Sequence, residues 1–125
     1  MGHALNILAV DDEPSVAQSL RFVLGGPTCQ LTSACDGEEA LAKMDATACS
    51  FDLVITDDHM PRVSGVELVR ELRARNFPGK ILVLSAHLSA ENSEAYQALH
   101  VDTLMPKPFD IGVLRRTISS LASAA

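Results

Sequence analysis

Tryptophan is absent, and aromatic residues make up only 4% of the 125-residue sequence. Any core must therefore be built from aliphatic side chains. Cysteine is scarce as well. Cys29, Cys35 and Cys49 form an odd set with no C-x-x-C spacing, which argues against a disulfide framework and a cysteine zinc site. Reduced thiols are the expectation. No basic run occurs, and ten Lys and Arg stand against sixteen Asp and Glu, for a net charge of −6. That balance disfavours direct binding to nucleic acid or a membrane surface. No stretch approaches the ~18 apolar residues of a membrane span. The opening Met1-Gly2-His3-Ala4 lacks a charged segment followed by an apolar one, so no signal peptide is read and a cytoplasmic location is expected. Internal repeats and low-complexity linkers are also lacking.

What is present suits a folded chain. Hydrophobic residues make up 47% and charged residues 21%, enough to bury a core. The length fits a single domain over residues 1–125.

Short apolar runs alternate with helical patterns. Leu5 to Val10 reads as a first strand. Pro14 opens a helix with the stripe Val16, Leu20, Val23 and Leu24, stopped by Gly25-Gly26-Pro27. Gln30 to Ala34 reads as a second strand. Asp36-Gly37-Glu38-Glu39 predicts a capping box before a helix carrying Ala40, Leu41 and Met44. Leu53 to Thr56 is a third strand, and Ser64-Gly65-Val66-Glu67 a second capping box, leading Leu68, Val69 and Leu72. Asn76 to Gly79 ends that helix. Ile81 to Leu84 is a fourth strand. Glu91 to Leu99 is a short helix with a thin apolar face of Ala95, Ala98 and Leu99. Val101 to Met105 is a fifth strand. Asp110 caps a last helix with the stripe Ile111, Leu114, Ile118 and Leu121. Five βα units with short connections predict right-handed crossovers. The fold class is therefore α/β: a five-stranded parallel sheet with helices on both faces.

The polar residues fall at informative places. Asp11 and Asp12 follow strand one, Asp57 follows strand three, Ser85 follows strand four, and Lys107 lies two residues beyond strand five. In an open parallel sheet these positions converge at the carboxyl edge, where such folds bind ligands. Three carboxylates in one crevice repel, so their proton affinities rise or a cation offsets them. Oxygen donors without His or Cys at metal spacing suit Mg²⁺. A hydroxyl and an ammonium opposite the metal would clamp a tetrahedral anion, a site suited to phosphoryl transfer onto a carboxylate. Asp57 and Asp58 are both acceptors by type.

The chain resembles the receiver domains of two-component response regulators, including the stand-alone chemotaxis type. The resemblance rests on Val10-Asp11-Asp12-Glu13-Pro14, on Asp52 to Pro61 with Ser64-Gly65, on Leu84-Ser85-Ala86 and on Lys107-Pro108-Phe109. It implies a flavodoxin-like strand order 2-1-3-4-5. It also implies a phosphorylation-controlled switch, not a conventional enzyme, with Asp57 as phosphoacceptor and Asp58 pointing away. Asp12, Asp57 and the backbone carbonyl of His59 would hold Mg²⁺, with Asp11 acting through a water. Lys107 and Ser85 would contact the phosphoryl oxygens. The implied partners are a sensor histidine kinase or phosphotransfer protein, and a downstream protein at the face of helix four, strand five and helix five.

Two departures matter. The family usually carries Tyr or Phe three residues before the lysine, and Leu104 stands there, so the aromatic switch is in question. His100-Val101 replaces the usual Gly-Ala and is expected to alter the preceding turn. His59 and His87 sit where the family tunes loss of the phosphoryl group; solvent-facing loop histidines are the simpler reading. Tyr96 and Phe109 read as packing residues.

Three other functions compete with this one. An aspartate-nucleophile phosphatase needs an acid two residues after its nucleophile, and His59 is there instead. A flavin carrier would find its phosphate repelled by Asp11-Asp12-Glu13. A phosphorylation-independent docking module stays open because of Leu104.

Overall fold

The computed structural model describes residues 5–24, 29–46, 51–60, 63–86, 89–107 and 109–123. Along them run β1 (Leu5–Val10), α1 (Pro14–Leu24), β2 (Cys29–Ala34), α2 (Gly37–Ala46) and β3 (Leu53–Asp57). Then follow α3 (Gly65–Ala74), β4 (Lys80–Ser85), α4 (Ala90–Ala98), β5 (Thr103–Pro106) and α5 (Ile111–Ser123). The strands pair in parallel in the order β2-β1-β3-β4-β5, the expected flavodoxin-like arrangement. The order reverses between β1 and β3, which opens a crevice at their carboxyl ends.

Strand alternation divides the core in two. On one face Leu8, Val10, Val54, Ile81 and Val83 pack with Ala40 of α2, Leu68, Val69 and Leu72 of α3, and Tyr96 of α4. On the other, Ile7, Ala9, Leu53, Ile55, Leu82 and Leu84 pack with Leu20 and Leu24 of α1 and Leu114 and Ile118 of α5. Every residue of the central strand β3 is buried, as helices on both faces require.

The helix starts follow their caps. Ser64 and Glu67 form the reciprocal capping box at α3. Asp110 Oδ1 accepts from Val113 N at 2.9 Å at α5. At α2 the box is displaced. Asp36 Oδ1 accepts from Glu39 N at 2.8 Å, but Glu39 Oε1 accepts from Cys35 N at 2.7 Å, one residue ahead of the cap.

Several boundaries differ from the sequence expectation, each for a local reason. Asp57 and Ser85 are the last residues of β3 and β4, not the first beyond them. The ladder continues past the apolar run, with Asp58 N donating to Leu84 O at 3.1 Å and Lys107 N to Ser85 O at 2.9 Å. β5 starts at Thr103, because Asp102 Oδ2, in place of a strand carbonyl, accepts from Ile81 N at 2.8 Å. It runs on through Pro106, which an edge strand tolerates, so Lys107 follows it directly. α4 buries Tyr96, whereas Ala98 of the expected apolar face is exposed. Ile111 is 50% exposed, because it borders an open cleft of about 500 Å³ between α1 and α5 instead of a packed neighbour. His3, the Gly25-Gly26-Pro27 stop, Cys49, Pro61, His87, Pro108 and the last two residues lie outside the described residues.

His100 keeps the turn that glycine would make without strain. Its φ is 58°, in the left-handed region that costs a side-chain-bearing residue about 1–2 kcal/mol. Arg73 holds the turn from α3, donating from Nε to Leu99 O at 2.8 Å and from its guanidinium to His100 O at 2.6 Å. Replacing His100 with glycine relieves the strain at some cost in unfolded-chain entropy. The expected result is a gain of about 0.5–1 kcal/mol and a thermal midpoint about 3 °C higher. A lower midpoint would mean that the imidazole contributes more than the strain costs.

Candidate functional site

The chain end of each central strand carries a polar side chain, and alternation sorts them by face. Asp11, Asp57 and Lys107 continue the parity of Ile7, Leu53 and Met105, which line the α1–α5 side. Asp58, Ser85 and Leu104 continue the parity of Val54, Ile81 and Val83, on the side of α3 and α4.

On the first side the geometry is tight. Asp11 and Asp57 are buried and Asp12 is exposed. Asp11 Oδ1 accepts from Glu13 N at 2.9 Å, which turns the chain toward Pro14 and α1. Asp11 Oδ2 accepts from Lys107 Nζ at 2.8 Å, and the same Nζ lies 3.0 Å from Asp57 Oδ1. One oxygen each from Asp11, Asp12 and Asp57 lie within 4.8 Å of one another. Three carboxylates thus cluster here, and one ammonium pairs with two of them, Asp11 and Asp57, leaving an excess of negative charge.

The electrostatics follow. Burial raises the Asp57 carboxyl above the usual carboxylate range and the Asp11 charge adds to this, against the lowering effect of Lys107. Burial disfavours the Lys107 charge, but the hydrogen bonds to Asp11 and Asp57 outweigh it and raise its proton affinity. A divalent cation with a preference for oxygen fits this donor set, since the cluster offers carboxylate oxygens alone.

On the second side the structure holds what sequence reasoning missed. Asp58 is 1% exposed. It points away from Lys107, and its Oδ1 accepts from the Tyr96 hydroxyl of α4. Asn92 Nδ2 donates to both Asp58 oxygens at 3.3 Å. Ser85 Oγ makes a long contact of 3.5 Å with Asp58 Oδ2. The exposed ring of His59 has its Nε2 3.6 Å from the same oxygen. Leu104 is half-buried and packs in the cluster that contains Tyr96. Tyr96 is a packing residue, as expected, but with a polar tip in use. The one available signal was the poor apolar face of α4, which left its single tyrosine as the only large side chain able to dock the helix.

Comparison with known proteins is consistent with this arrangement. The sequence matches the family model of the response regulator receiver domain over residues 7–119. It is 36% identical over 117 residues to the response regulator MprA of Mycobacterium leprae, spanning 94% of this chain and 50% of that protein. It is 33% identical over 121 residues to the sensor protein EvgS of Escherichia coli, spanning 97% of this chain and 10% of that protein. The chain thus spans half or less of these curated relatives. The chemotaxis protein CheY4 of Vibrio cholerae superposes with a TM-score of 0.85 at 31% identity, over 94% of this chain and 98% of that one. A receiver domain protein of Methanospirillum hungatei gives a TM-score of 0.91 at 24% identity, over 97% and 95%, a likeness of fold alone. Among the described residues no helix is long and apolar enough to cross a membrane.

The raised Asp57 carboxyl predicts a pH-dependent stability. Its folded proton affinity exceeds the unfolded one, so the charged form opposes folding. That penalty is absent when the group is protonated and grows as pH rises through the folded value. Asp57→Asn removes the charge while Asp11 still pairs Lys107. The variant is expected to melt at a higher temperature than wild type at neutral pH, with the difference shrinking toward about pH 4. Thermal melts across this range check it; an Asp57→Asn midpoint below wild type at neutral pH would contradict the burial argument.

Proposed function

The chain belongs to the response regulator receiver domain family, and on that premise we propose a phosphorylation-controlled switch, a single receiver domain over residues 1–125, whose acceptor is Asp57. The observation that carries this reading is the Lys107 ammonium held between Asp11 and Asp57, with Asp58 sealed off beneath α4. Only one of the two neighbouring carboxylates faces the charged crevice.

The chemistry asks little of the protein. A carboxylate is already a nucleophile, so no general base is needed. The N–P bond of a partner's phosphohistidine breaks, the imidazole leaves with the electron pair, and an Asp57 oxygen bonds to phosphorus. Lys107, kept charged by Asp11, is in reach of the phosphoryl oxygens and offsets their charge. Ser85 ends the adjacent strand, and its loose contact with Asp58 leaves the hydroxyl free to turn to a phosphoryl oxygen. Asp12, Asp57 and the His59 carbonyl would hold Mg²⁺ directly. Asp11 would act through a water, because its oxygens already serve Lys107 and Glu13 N. When bound, the ion offsets the carboxylate and phosphoryl charge. His59 and His87 follow Asp57 and Ser85 by two positions in the sequence and are assigned to tuning the loss of the phosphoryl group.

The partners follow from this reading: a sensor histidine kinase or phosphotransfer protein as donor, and a downstream protein at the face of α4, β5 and α5. Net charge disfavours direct contact with nucleic acid. The protein is not a conventional enzyme, and the cytoplasm is its expected location.

Acetyl phosphate with Mg²⁺ is expected to label one site, mapped by mass to Asp57, and labelling should disappear in Asp57→Asn or with chelator. Label on Asp58 would overturn the assignment. A wild-type protein that takes no label, yet binds its partner, would favour a phosphorylation-independent docking module. Lys107→Ala should still be labelled, since removing the ammonium leaves the acceptor in place. Its phosphorylation-dependent gain in partner affinity should fall about tenfold, the value of one charge-assisted hydrogen bond. An unchanged gain in that variant would exclude Lys107 from the response.

A further inference from the structure

Residue 58 is tied to three elements at once. Its backbone N donates to Leu84 O of β4 at 3.1 Å, and its carbonyl accepts from Gly65 N of α3 at 3.0 Å. Its carboxylate accepts from Tyr96 and from Asn92 of α4. Asn92 and Tyr96 are one helical turn apart, so α4 grips the carboxylate with adjacent side chains of one face. The surroundings are closed. Tyr96 is 0% exposed, and a Cβ at Gly65 would meet the Tyr96 hydroxyl and come within 2.6 Å of the Asp57 carbonyl oxygen. The α3 start must be glycine for this arrangement to fit.

A carboxylate this deeply buried holds its position only while its partners stay in place. The residue joined to it is Asp57, one peptide bond away. We propose that the clasp formed by Asp58, Tyr96 and Asn92 couples the state of Asp57 to the position of α4. Tyr96 thereby supplies from the helix the hydroxyl-bearing ring that position 104 lacks. Leu104 packs in the same buried cluster as Tyr96, so the leucine and the α4 ring together fill that part of the core. Tyr96 and Asn92 touch neither the acceptor oxygens nor Lys107, so they are positioning residues that act through Asp58. Ser85 sits at the edge of the same carboxylate, which brings the β4 hydroxyl and the α4 ring to one anion.

The proposal rests on Asp57 being the acceptor, and the test separates the two. Beryllofluoride with Mg²⁺ is added to the full chain, and backbone amide spectra are compared for wild type, Tyr96→Phe and Asn92→Ala. Tyr96→Phe keeps the ring and removes only the hydroxyl. Asn92→Ala is half-exposed and improves helix propensity, so it serves where the first variant folds poorly. In wild type the amides around Asp57, Ser85 and Lys107 and those of α4 should all respond. In the variants the response around Asp57, Ser85 and Lys107 should persist, while that of α4 falls at least about fivefold, the low end of a coupling between sites. Amide exchange of α4 without beryllofluoride should quicken about tenfold on loss of a hydrogen bond to a charged group. An α4 response equal to wild type in both variants, or none in wild type beside a clear response at Asp57, overturns the clasp alone. No response at Asp57 and Lys107 in wild type overturns the acceptor reading and the clasp with it.

Discussion

Burying negative charge at the carboxyl edge of the sheet is the constraint on which the rest of this structure depends. Asp11, Asp57 and Asp58 are all buried, and an isolated carboxylate would not tolerate this. Each is permitted by polar partners from another element. Lys107 serves Asp11 and Asp57 from the end of β5, whereas Tyr96 and Asn92 serve Asp58 from α4. The separation follows from strand geometry. Successive residues of β3 face opposite sides, so two adjacent acids enter two environments that share a backbone but no side-chain partner.

That division explains what could be read from the sequence and what could not. The βα order was legible because β3 and β4 are continuous apolar runs and because Pro14, Ser64 and Asp110 mark helix starts through local chemistry. The crevice was legible because strand ends in a parallel sheet converge whatever the loops do. Strand ends themselves were less so, since the ladder at Asp57 and Ser85 depends on neighbouring strands and not on apolar periodicity. The start of β5 was hidden because the Asp102 side chain replaces a backbone acceptor. Ile111 kept the helical stripe but met a cleft. The destination of Asp58 was hidden most completely. An acid after a strand carries the same local signature whether it turns into solvent or into a tyrosine 38 residues on.

The carboxyl end and the buried side of α4 are held by different means, and this shapes what the helix can do. Its carboxyl end is fixed by Arg73 of α3, whose guanidinium satisfies the carbonyls of Leu99 and His100 and whose charge suits the helix dipole there. Its buried side is fixed by Asp58 through Tyr96 and Asn92. Its apolar burial is slight, since Tyr96 is its single fully buried residue. A helix with a broad apolar stripe would resist displacement through many small contacts. One held by a polar tie at its middle and a cationic cap at its end resists mainly through those two points. On the proposed coupling a displaced residue 58 acts on the tie, whereas the Arg73 cap engages the helix end through the carbonyls of Leu99 and His100. The poor amphipathicity that made α4 hard to read from sequence is the same property that lets so few contacts govern it.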